Sequence, residues 1–371
     1  MLQDNTYMEE KMPDRIYNFS PGPATLPQEV LARAAKDIVN YNDTGIGLIE
    51  LSHRSKEFMA VAEEAEALLR ELLAVPDNFK VLFLQGGAST QSAMIPMNLL
   101  GPGKKATYLN TGTWAKKAIK EANIIGEAHV AYSSEDSSFN HVPALSDYSV
   151  DPDSEYLYYV SNNTIYGTQF QTFPESDKIL VSDMSSDILS RPIDFTPFGI
   201  LFAGAQKNMG PAGATVVIIR EDLLDRTPDS VPTMLRYKTH ADKGSMFNTP
   251  PCFAIYAIGL VLKWLKKMGG VAAMEEMNRE KASLLYQAID ATDFIKPHAK
   301  EDSRSMMNVT FNLPTPELEA KFIEEGLSRG LSGLKGHRSI GGIRASIYNA
   351  FPRQGVLDLI EFMKEFEQKN G

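Results

Sequence analysis

The stretch Gly199-Ile-Leu-Phe-Ala-Gly-Ala-Gln-Lys207-Asn-Met-Gly-Pro-Ala-Gly213 places one lysine between an apolar strand and a Gly/Pro turn, just before a second apolar segment. A lysine at that point cannot move far from the end of the strand. A desolvated, fixed amine is neutral often enough to attack an aldehyde, and the small residues beside Lys207 leave room for a flat ring. Taken alone, a lysine on a hairpin is more often an ordinary surface residue. The rest of the sequence must therefore decide whether Lys207 is a reactive lysine or an ordinary surface residue.

Short apolar runs recur along the first part of the chain, with helical or loop stretches between them. An amphipathic helix is predicted after Ser55, where apolar residues from Phe58 to Leu72 fall on one stripe. Several of the runs are continuously apolar, which is typical of strands covered on both faces. The pattern predicts an α/β domain with a mostly parallel sheet flanked by helices and with ligand groups at the strand ends. The predicted strands are Val81–Leu84, Ala106–Leu109, Tyr156–Val160, Ile179–Val181, Ile200–Ala203 and Thr215–Ile219.

A chain of 371 residues is long enough for two domains. We expect an N-terminal extension over residues 1–16, a large α/β domain over residues 17–260, and a smaller α+β domain over residues 261–371. The smaller domain is predicted from two helices, one through Trp264 and one from about Val271, followed by a strand at Asn308–Leu313 and a helix at Glu317–Arg329.

The overall composition excludes several classes of protein. Asp and Glu number 47 against 37 Lys and Arg, and the net charge of −10 argues against a general nucleic-acid or membrane-surface binder. The single cysteine, Cys252, excludes an internal disulfide framework and a multi-cysteine zinc site, so we expect no metal. Residues 1–12 lack the apolar segment of a secretory signal, and the longest apolar run, Cys252–Leu262, is too short to span a bilayer. We therefore expect a cytoplasmic protein.

Two further features give Lys207 a chemical context. Asp183 ends the apolar stretch that begins at Lys178, 24 residues before Lys207 (207 − 183), and a carboxylate there can pair with a pyridinium nitrogen. The Gly-rich segment Gln85–Thr90 follows a predicted strand and precedes a predicted helix, Gln91–Leu99, whose free N–H groups favour a phosphate. Taken alone, Asp183 is more often a helix N-cap or turn residue, and a glycine turn is also common as plain structure. Together with Lys207 they indicate pyridoxal 5′-phosphate.

Cationic residues stand out in this acidic chain. They occur as His53-Arg54, as His337-Arg338 after Lys335, and as Arg344 after two glycines. Arginine binds a carboxylate or a phosphate through two parallel hydrogen bonds, so a substrate with both anionic groups would explain the set. For any single arginine, solvated surface charge is the alternative.

With these motifs the chain resembles the phosphoserine aminotransferases, a family of class-V transaminases that bind pyridoxal phosphate and have the type I fold. The resemblance runs from Tyr17 nearly to the C-terminus. Its carriers are Asn18-Phe-Ser-Pro-Gly-Pro-Ala24, Glu50-Leu-Ser-His-Arg54, Ser182-Asp-Met-Ser-Ser186, Ala203-Gly-Ala-Gln-Lys-Asn208, Gly244-Ser-Met-Phe-Asn-Thr-Pro-Pro251, Lys335-Gly-His-Arg338 and Gly342-Ile-Arg-Ala-Ser346.

The resemblance implies catalytic roles for two residues. Lys207 would hold one cofactor per subunit as a Schiff base, and Asp183 would pair with the ring nitrogen. The other residues implied to bind the cofactor are Ala88, Ser89, Trp114, Thr164, Gln206, Asn248 and Thr249. Those implied to bind the substrate are His53, Arg54, His337, Arg338 and Arg344.

The resemblance also implies a homodimer in which Asn248 and Thr249 reach the cofactor of the other subunit. The implied reaction exchanges an amino group between L-glutamate and 3-phosphohydroxypyruvate, giving O-phospho-L-serine and 2-oxoglutarate. This places the protein in L-serine biosynthesis and leaves open a role on a phosphorylated intermediate of pyridoxal phosphate biosynthesis. One departure from the family pattern is Ser89, where some members have arginine, so backbone N–H groups would hold more of the phosphate there.

Two other interpretations of the sequence remain. One is a different transaminase or a lyase on the same fold; a desulfurase would need a cysteine nucleophile on a mobile loop. Cys252 follows two prolines and precedes an apolar helix, which is a poor place for such a residue. The other is a non-catalytic α/β protein that binds small anions through its glycine turns without using Lys207.

Overall fold

The structure, a computed structural model, describes residues 15–371; residues 1–14 of the expected N-terminal extension lie outside this range. The strands are β1 (Tyr17–Asn18), β2 (Phe79–Leu84), β3 (Lys105–Asn110), β4 (Glu127–Ser133), β5 (Ser154–Val160), β6 (Asn162–Asn163), β7 (Thr168–Gln169), β8 (Leu180–Asp183), β9 (Phe198–Gly204), β10 (Thr215–Arg220), β11 (Lys296–Pro297), β12 (Asn308–Asn312), β13 (Leu331–Ser332) and β14 (Ile343–Ser346). The α-helices are α1 (Gln28–Val39), α2 (Lys56–Leu73), α3 (Gly87–Leu99), α4 (Thr113–Ile125), α5 (Tyr237–Ala241), α6 (Cys252–Lys267), α7 (Gly270–Asp290), α8 (Pro316–Ser328) and α9 (Arg353–Asn370).

The largest sheet has seven strands in the order β2-β10-β9-β8-β5-β3-β4. Strand β10 is antiparallel to both of its neighbours, and the other neighbouring pairs are parallel. The prediction of a mostly parallel sheet is confirmed, and each of the six strands predicted for it is present. Strand β4 was not predicted, because it is an edge strand of mixed polarity in which no residue is fully buried.

Both faces of this sheet are covered, which explains its continuously apolar strands. In β10, Val216 and Ile218 pack on the side of α2 and α6, while Val217 and Ile219 pack on the side of α3 and α4. Helix α2 begins where the sequence predicts, because Ser55 Oγ accepts a hydrogen bond from the backbone N–H of Phe58. Fully burying one such aliphatic side chain contributes about 1.5–3 kcal/mol.

A second hydrophobic cluster lies in the C-terminal part of the chain. There α7, α8 and α9 pack around a three-stranded antiparallel sheet in the order β11-β12-β14. Strand β1 pairs in parallel with β13, and Phe19 is buried in the same cluster. The boundary that we expect near residue 260 falls within α6, and the division into domains stays a prediction. Among residues 15–371, no helix is long and apolar enough to cross a membrane.

Candidate active site

The direction of the strands gathers the predicted site at one edge of the sheet. Strands β2, β3, β5, β8 and β9 all run in the same direction, because β2 and β9 are both antiparallel to β10. Their carboxyl ends therefore lie along a single edge, where ligand sites of open α/β sheets are found. The predicted residues that follow or end these strands are Ala88 and Ser89, Trp114, Thr164, Asp183, and Gln206 with Lys207.

Lys207 lies in the hairpin between β9 and β10, but its amine is not at the surface. Its Nζ donates a hydrogen bond of 2.6 Å to Thr164 Oγ1, in the loop after β5. Burial lowers the pKa of Lys207 to about 8; the charge of Asp183 opposes this shift and that of Arg344 adds to it. Gly22 packs against the lysine, since a Cβ atom there would lie 3.4 Å from Lys207 Cγ. A substantial fraction of the amines is therefore neutral near pH 8.

Asp183 is the last residue of β8 and is only 6% exposed. One of its carboxylate oxygens, Oδ1, accepts a 2.9 Å hydrogen bond from the backbone N–H of Ser185. Burial raises the pKa of Asp183, because a buried carboxylate resists ionisation. Within the described part of the chain, no Lys, Arg or His forms an ion pair with it. A ligand with a cationic ring nitrogen would supply the missing charge.

The glycine turn after β2 is built to expose backbone N–H groups. Helix α3 begins at Gly87, four residues earlier than predicted, so Ala88 and Ser89 lie in its first turn. Gly86 and Gly87 have φ angles of 91° and 67°, which favour glycine. No side chain of residues 15–371 caps the helix start. The free N–H groups and the helix dipole favour an anion there.

Trp114 lies in the first turn of α4 and is half-buried. Its indole Nε1 is buried and has no hydrogen-bond partner among the described residues. The amine of Lys117 lies 4.3 Å from the centroid of the ring. This contact of a cation with an aromatic face was not predicted from the sequence.

Three of the predicted cationic residues lie close to one another. Arg344, in β14, is 6% exposed, and its Nε has no hydrogen-bond partner in the part of the chain that the structure describes. Burial lowers the pKa of His337, and so do three neighbouring positive charges, those of Arg344, Arg338 and Lys117. No carboxylate within residues 15–371 pairs with any of these cations. Such a concentration of unpaired positive charge suits an anionic ligand.

His53 and Arg54 are not joined to this cluster by any hydrogen bond or ion pair of the described residues. His53 is half-buried, and its Nε2 lacks a partner within the described chain, whereas Arg54 is exposed. Asn248 and Thr249 lie near the glycine turn of their own chain. Asn248 Nδ2 donates a 3.0 Å hydrogen bond to Gln85 Oε1, beside Gly86.

Sequence reasoning missed Tyr348, whose phenol lies near Thr164 and Arg344. Its hydroxyl donates a 2.7 Å hydrogen bond to the carbonyl of Pro21 and accepts one of 3.1 Å from Asn308 Nδ2. Burial raises the pKa of this phenol, so it stays protonated as a donor. The sequence signal was weak, because an apolar neighbourhood after Arg344 is typical of an ordinary core tyrosine.

Comparison with known proteins agrees with this geometry. The aminotransferase class-V family model matches residues 16–359. A phosphoserine aminotransferase from Desulfotalea psychrophila is 70% identical over 359 residues, which cover 97% of this chain and 99% of the relative. The structure of the phosphoserine aminotransferase from Bacillus circulans subsp. alkalophilus superimposes with a TM-score of 0.94, at 51% identity, over 96% of this chain and 99% of that one. A structure from Trichomonas vaginalis, described as phosphoserine aminotransferase with pyridoxal phosphate bound, gives a TM-score of 0.91 at 42% identity, over 94% of this chain and 100% of that one.

The fold and the site thus define the class of protein, and the chain belongs to the class-V aminotransferases. Within that class it belongs to the phosphoserine aminotransferase family, since a relative of this name shares 70% of its residues over nearly the full length of both chains. The fold expected from the sequence is confirmed by the likeness to solved structures of the same family.

Proposed function

We propose that this protein transfers an amino group between L-glutamate and 3-phosphohydroxypyruvate, forming O-phospho-L-serine and 2-oxoglutarate. This reaction belongs to L-serine biosynthesis. The observation that carries the proposal is the partly buried amine of Lys207, held on Thr164 at the same sheet edge as the buried carboxylate of Asp183. Family membership supports it, because relatives that share 70% and 54% of its residues are phosphoserine aminotransferases.

Pyridoxal 5′-phosphate is the cofactor, and when bound it supplies an electron sink for the pair left at the substrate Cα. The site fits this group in three places: a basic amine at Lys207, a carboxylate without a cationic partner at Asp183, and free N–H groups at Ala88 and Ser89. We propose that Lys207 holds the cofactor covalently and that Asp183 faces its ring nitrogen. Trp114, Thr164 and Gln206 complete the pocket.

Lys207 has a second role once the substrate amine has displaced it. Its Nζ, with a pKa lowered to about 8 by burial, takes the proton from the substrate Cα and later returns one. Thr164 Oγ1 orients that amine through the hydrogen bond seen in the structure. Both half-reactions use this single site, so the substrates alternate in a ping-pong sequence.

The cationic residues recognise the two anionic ends of the substrate. We propose that Arg54 and Arg344 bind carboxylates, whereas His53, His337 and Arg338 bind the phosphate. The unpaired positive charge around His337 supports an anion site there, because a phosphate would neutralise it.

We further propose that the enzyme is a cytoplasmic homodimer in which Asn248 and Thr249 reach the cofactor phosphate of the partner subunit. Thr249 is exposed in the single chain, as a residue that contacts another subunit would be. The lyase alternative is not favoured: Cys252 begins α6, and burial raises the pKa of its thiol, which weakens a nucleophile.

A spectrum and an assay test the proposal together. The purified protein with pyridoxal phosphate should absorb visible light and transaminate phosphoserine with 2-oxoglutarate far faster than serine. Lys207→Ala should abolish both properties, whereas Lys120→Ala, at an exposed helical position, should change neither. A colourless protein that ignores added cofactor would refute the proposal.

A further inference from the structure

Residues 245–249 form a loop that is attached to the end of β2 at two points. The first attachment is buried: Ser245, 2% exposed, accepts a 2.9 Å hydrogen bond through Oγ from the backbone N–H of Phe83. The second is at the surface, where Gln85 contacts Asn248 and Thr249. Between them Phe247 is 41% exposed. The loop is therefore anchored at its base, Ser245, and its tip, residues 247–249, lies at the surface.

Gln85 uses both ends of its side-chain amide on this tip. Its Oε1 accepts from Asn248 Nδ2 at 3.0 Å, and its Nε2 donates to the carbonyl of Thr249 at 3.4 Å. Both ends of the amide thus contact the same two neighbouring residues of its own chain. Gln85 and Asn248 also line a shared cavity of about 230 Å³ beside Gly86.

We infer that Gln85 is a positioning residue that holds Asn248 and Thr249 in the orientation in which they contact the cofactor phosphate of the partner subunit. The inference rests on the proposed function, in which these two residues act across the dimer. Gln85 directly precedes the glycine turn of its own phosphate site. One side chain then links the phosphate turn of one active site to the loop that completes the other, so its loss would weaken the partner's site and spare its own.

Mixed dimers separate these two sites. Co-expression with two affinity tags gives dimers in which one subunit carries Lys207→Ala, so that only the other subunit can fix the cofactor. In the first dimer, Gln85→Met is placed on the Lys207→Ala subunit; in the second, it is placed on the competent subunit. Methionine has the length of glutamine and forms neither hydrogen bond. The amount of cofactor fixed to Lys207 by borohydride, measured against free pyridoxal phosphate, gives the apparent dissociation constant.

The first dimer should bind the cofactor about fivefold to tenfold more weakly than the dimer with only Lys207→Ala, as expected for the loss of one or two hydrogen bonds between exposed groups. The second dimer should bind the cofactor as tightly as the dimer with only Lys207→Ala. The inference would be overturned if cofactor binding weakened only in the second dimer, weakened equally in both, or weakened in neither. Gln287→Met, at an exposed glutamine of α7 that bonds only Ser283, is the matched control and should have no effect.

Asn248→Ala in the same two dimers tests the underlying proposal separately. If Asn248→Ala weakens cofactor binding only in the first dimer, the loop acts across the dimer. The result with Gln85→Met then decides the inference alone. If it weakens only the second, the proposed exchange of residues is wrong. When Gln85→Met is added to a subunit that carries both Asn248→Ala and Thr249→Ala, the effect should be no larger than that of these two substitutions, because Gln85 acts through both residues. Additive effects would contradict a positioning role.

Discussion

The amine of Lys207 and the hydroxyl of Thr164 are joined by a 2.6 Å hydrogen bond between residues that are 43 positions apart in the chain. The bond connects the hairpin after β9 to the loop after β5, at the carboxyl edge of the sheet. The bond directs the amine to one place. Burial in the same pocket lowers the pKa of Lys207 and so leaves the amine partly neutral. Orientation and protonation state are thus set by the same pocket.

The pH dependence of cofactor uptake should reveal this pKa. Only a neutral amine attacks an aldehyde, so the rate of covalent uptake by the cofactor-free protein should rise with pH around a midpoint near 8, the pKa of Lys207. Stopped-flow absorbance over a series of pH values measures the midpoint. Asp183→Asn should move it to lower pH, because the Asp183 charge raises the pKa of Lys207. A midpoint at the ordinary lysine value of about 10.4 would contradict the prediction.

Arg338 should matter for the use of 3-phosphohydroxypyruvate and not for the use of glutamate. If its guanidinium binds the phosphate, Arg338→Ala should lower kcat/KM for 3-phosphohydroxypyruvate about tenfold to a hundredfold and leave that for glutamate nearly unchanged. Steady-state kinetics in both half-reactions measure the two values. Arg353→Ala, which removes only a surface ion pair with Glu280, is the matched control. Equal losses for both substrates would refute the assignment.

The glycine turn should tolerate a methyl group at one position better than at the other. A Cβ atom at Gly86 would lie 2.1 Å from Thr90 Oγ1, whereas one at Gly87 would meet nothing within 4 Å; both residues have a positive φ angle. Gly86→Ala should therefore weaken cofactor binding and stability more than Gly87→Ala, which carries only backbone strain of about 1–3 kcal/mol. Adding Thr90→Ala should restore part of the loss. Urea midpoints and cofactor titration give the comparison, and equal effects of the two alanines would count against it.

Lys281 should make stability depend on pH. This lysine, 3% exposed, donates hydrogen bonds to the carbonyls of Ile347, Tyr348 and Phe351 at 2.7–3.2 Å, and burial lowers its pKa to about 7. The unfolded chain, with an ordinary lysine pKa of about 10.4, binds more protons between these two values. The contribution of Lys281 to the free energy of unfolding should therefore rise with pH from 7 towards 10.

Lys281→Met removes that contribution and the hydrogen bonds that Nζ donates. It should lower the free energy of unfolding by about 1–3 kcal/mol at pH 9, and by less at pH 7. Urea unfolding at the two pH values measures the difference, with Lys120→Met at an exposed position as control. A deficit that grows as the pH falls would reverse the predicted sign.

The sequence predicted six of the seven strands of the large sheet and singled out Lys207 and Asp183 as candidate site residues at two strand ends. Both depend on local signals, because a strand covered on two faces is continuously apolar and a site residue at its end follows directly in the chain. Helix α3 was placed four residues late, since Gly87 has little helical propensity and residues 85–90 were taken together for the turn. Strand β4 was not predicted, because an exposed edge strand carries no continuous apolar run.

By itself, the sequence determined which residue types were available: one lysine at a strand end, one acidic residue at another, a glycine turn and three groups of cationic residues. The tertiary structure decided which of them meet. The bond from Lys207 to Thr164 and the attachment of Asn248 to Gln85 bring together groups from distant segments of the chain. Burial, which sets the pKa of Lys207 and of Asp183, belongs to this second level, because desolvation depends on everything packed around a group and not on its neighbours in sequence.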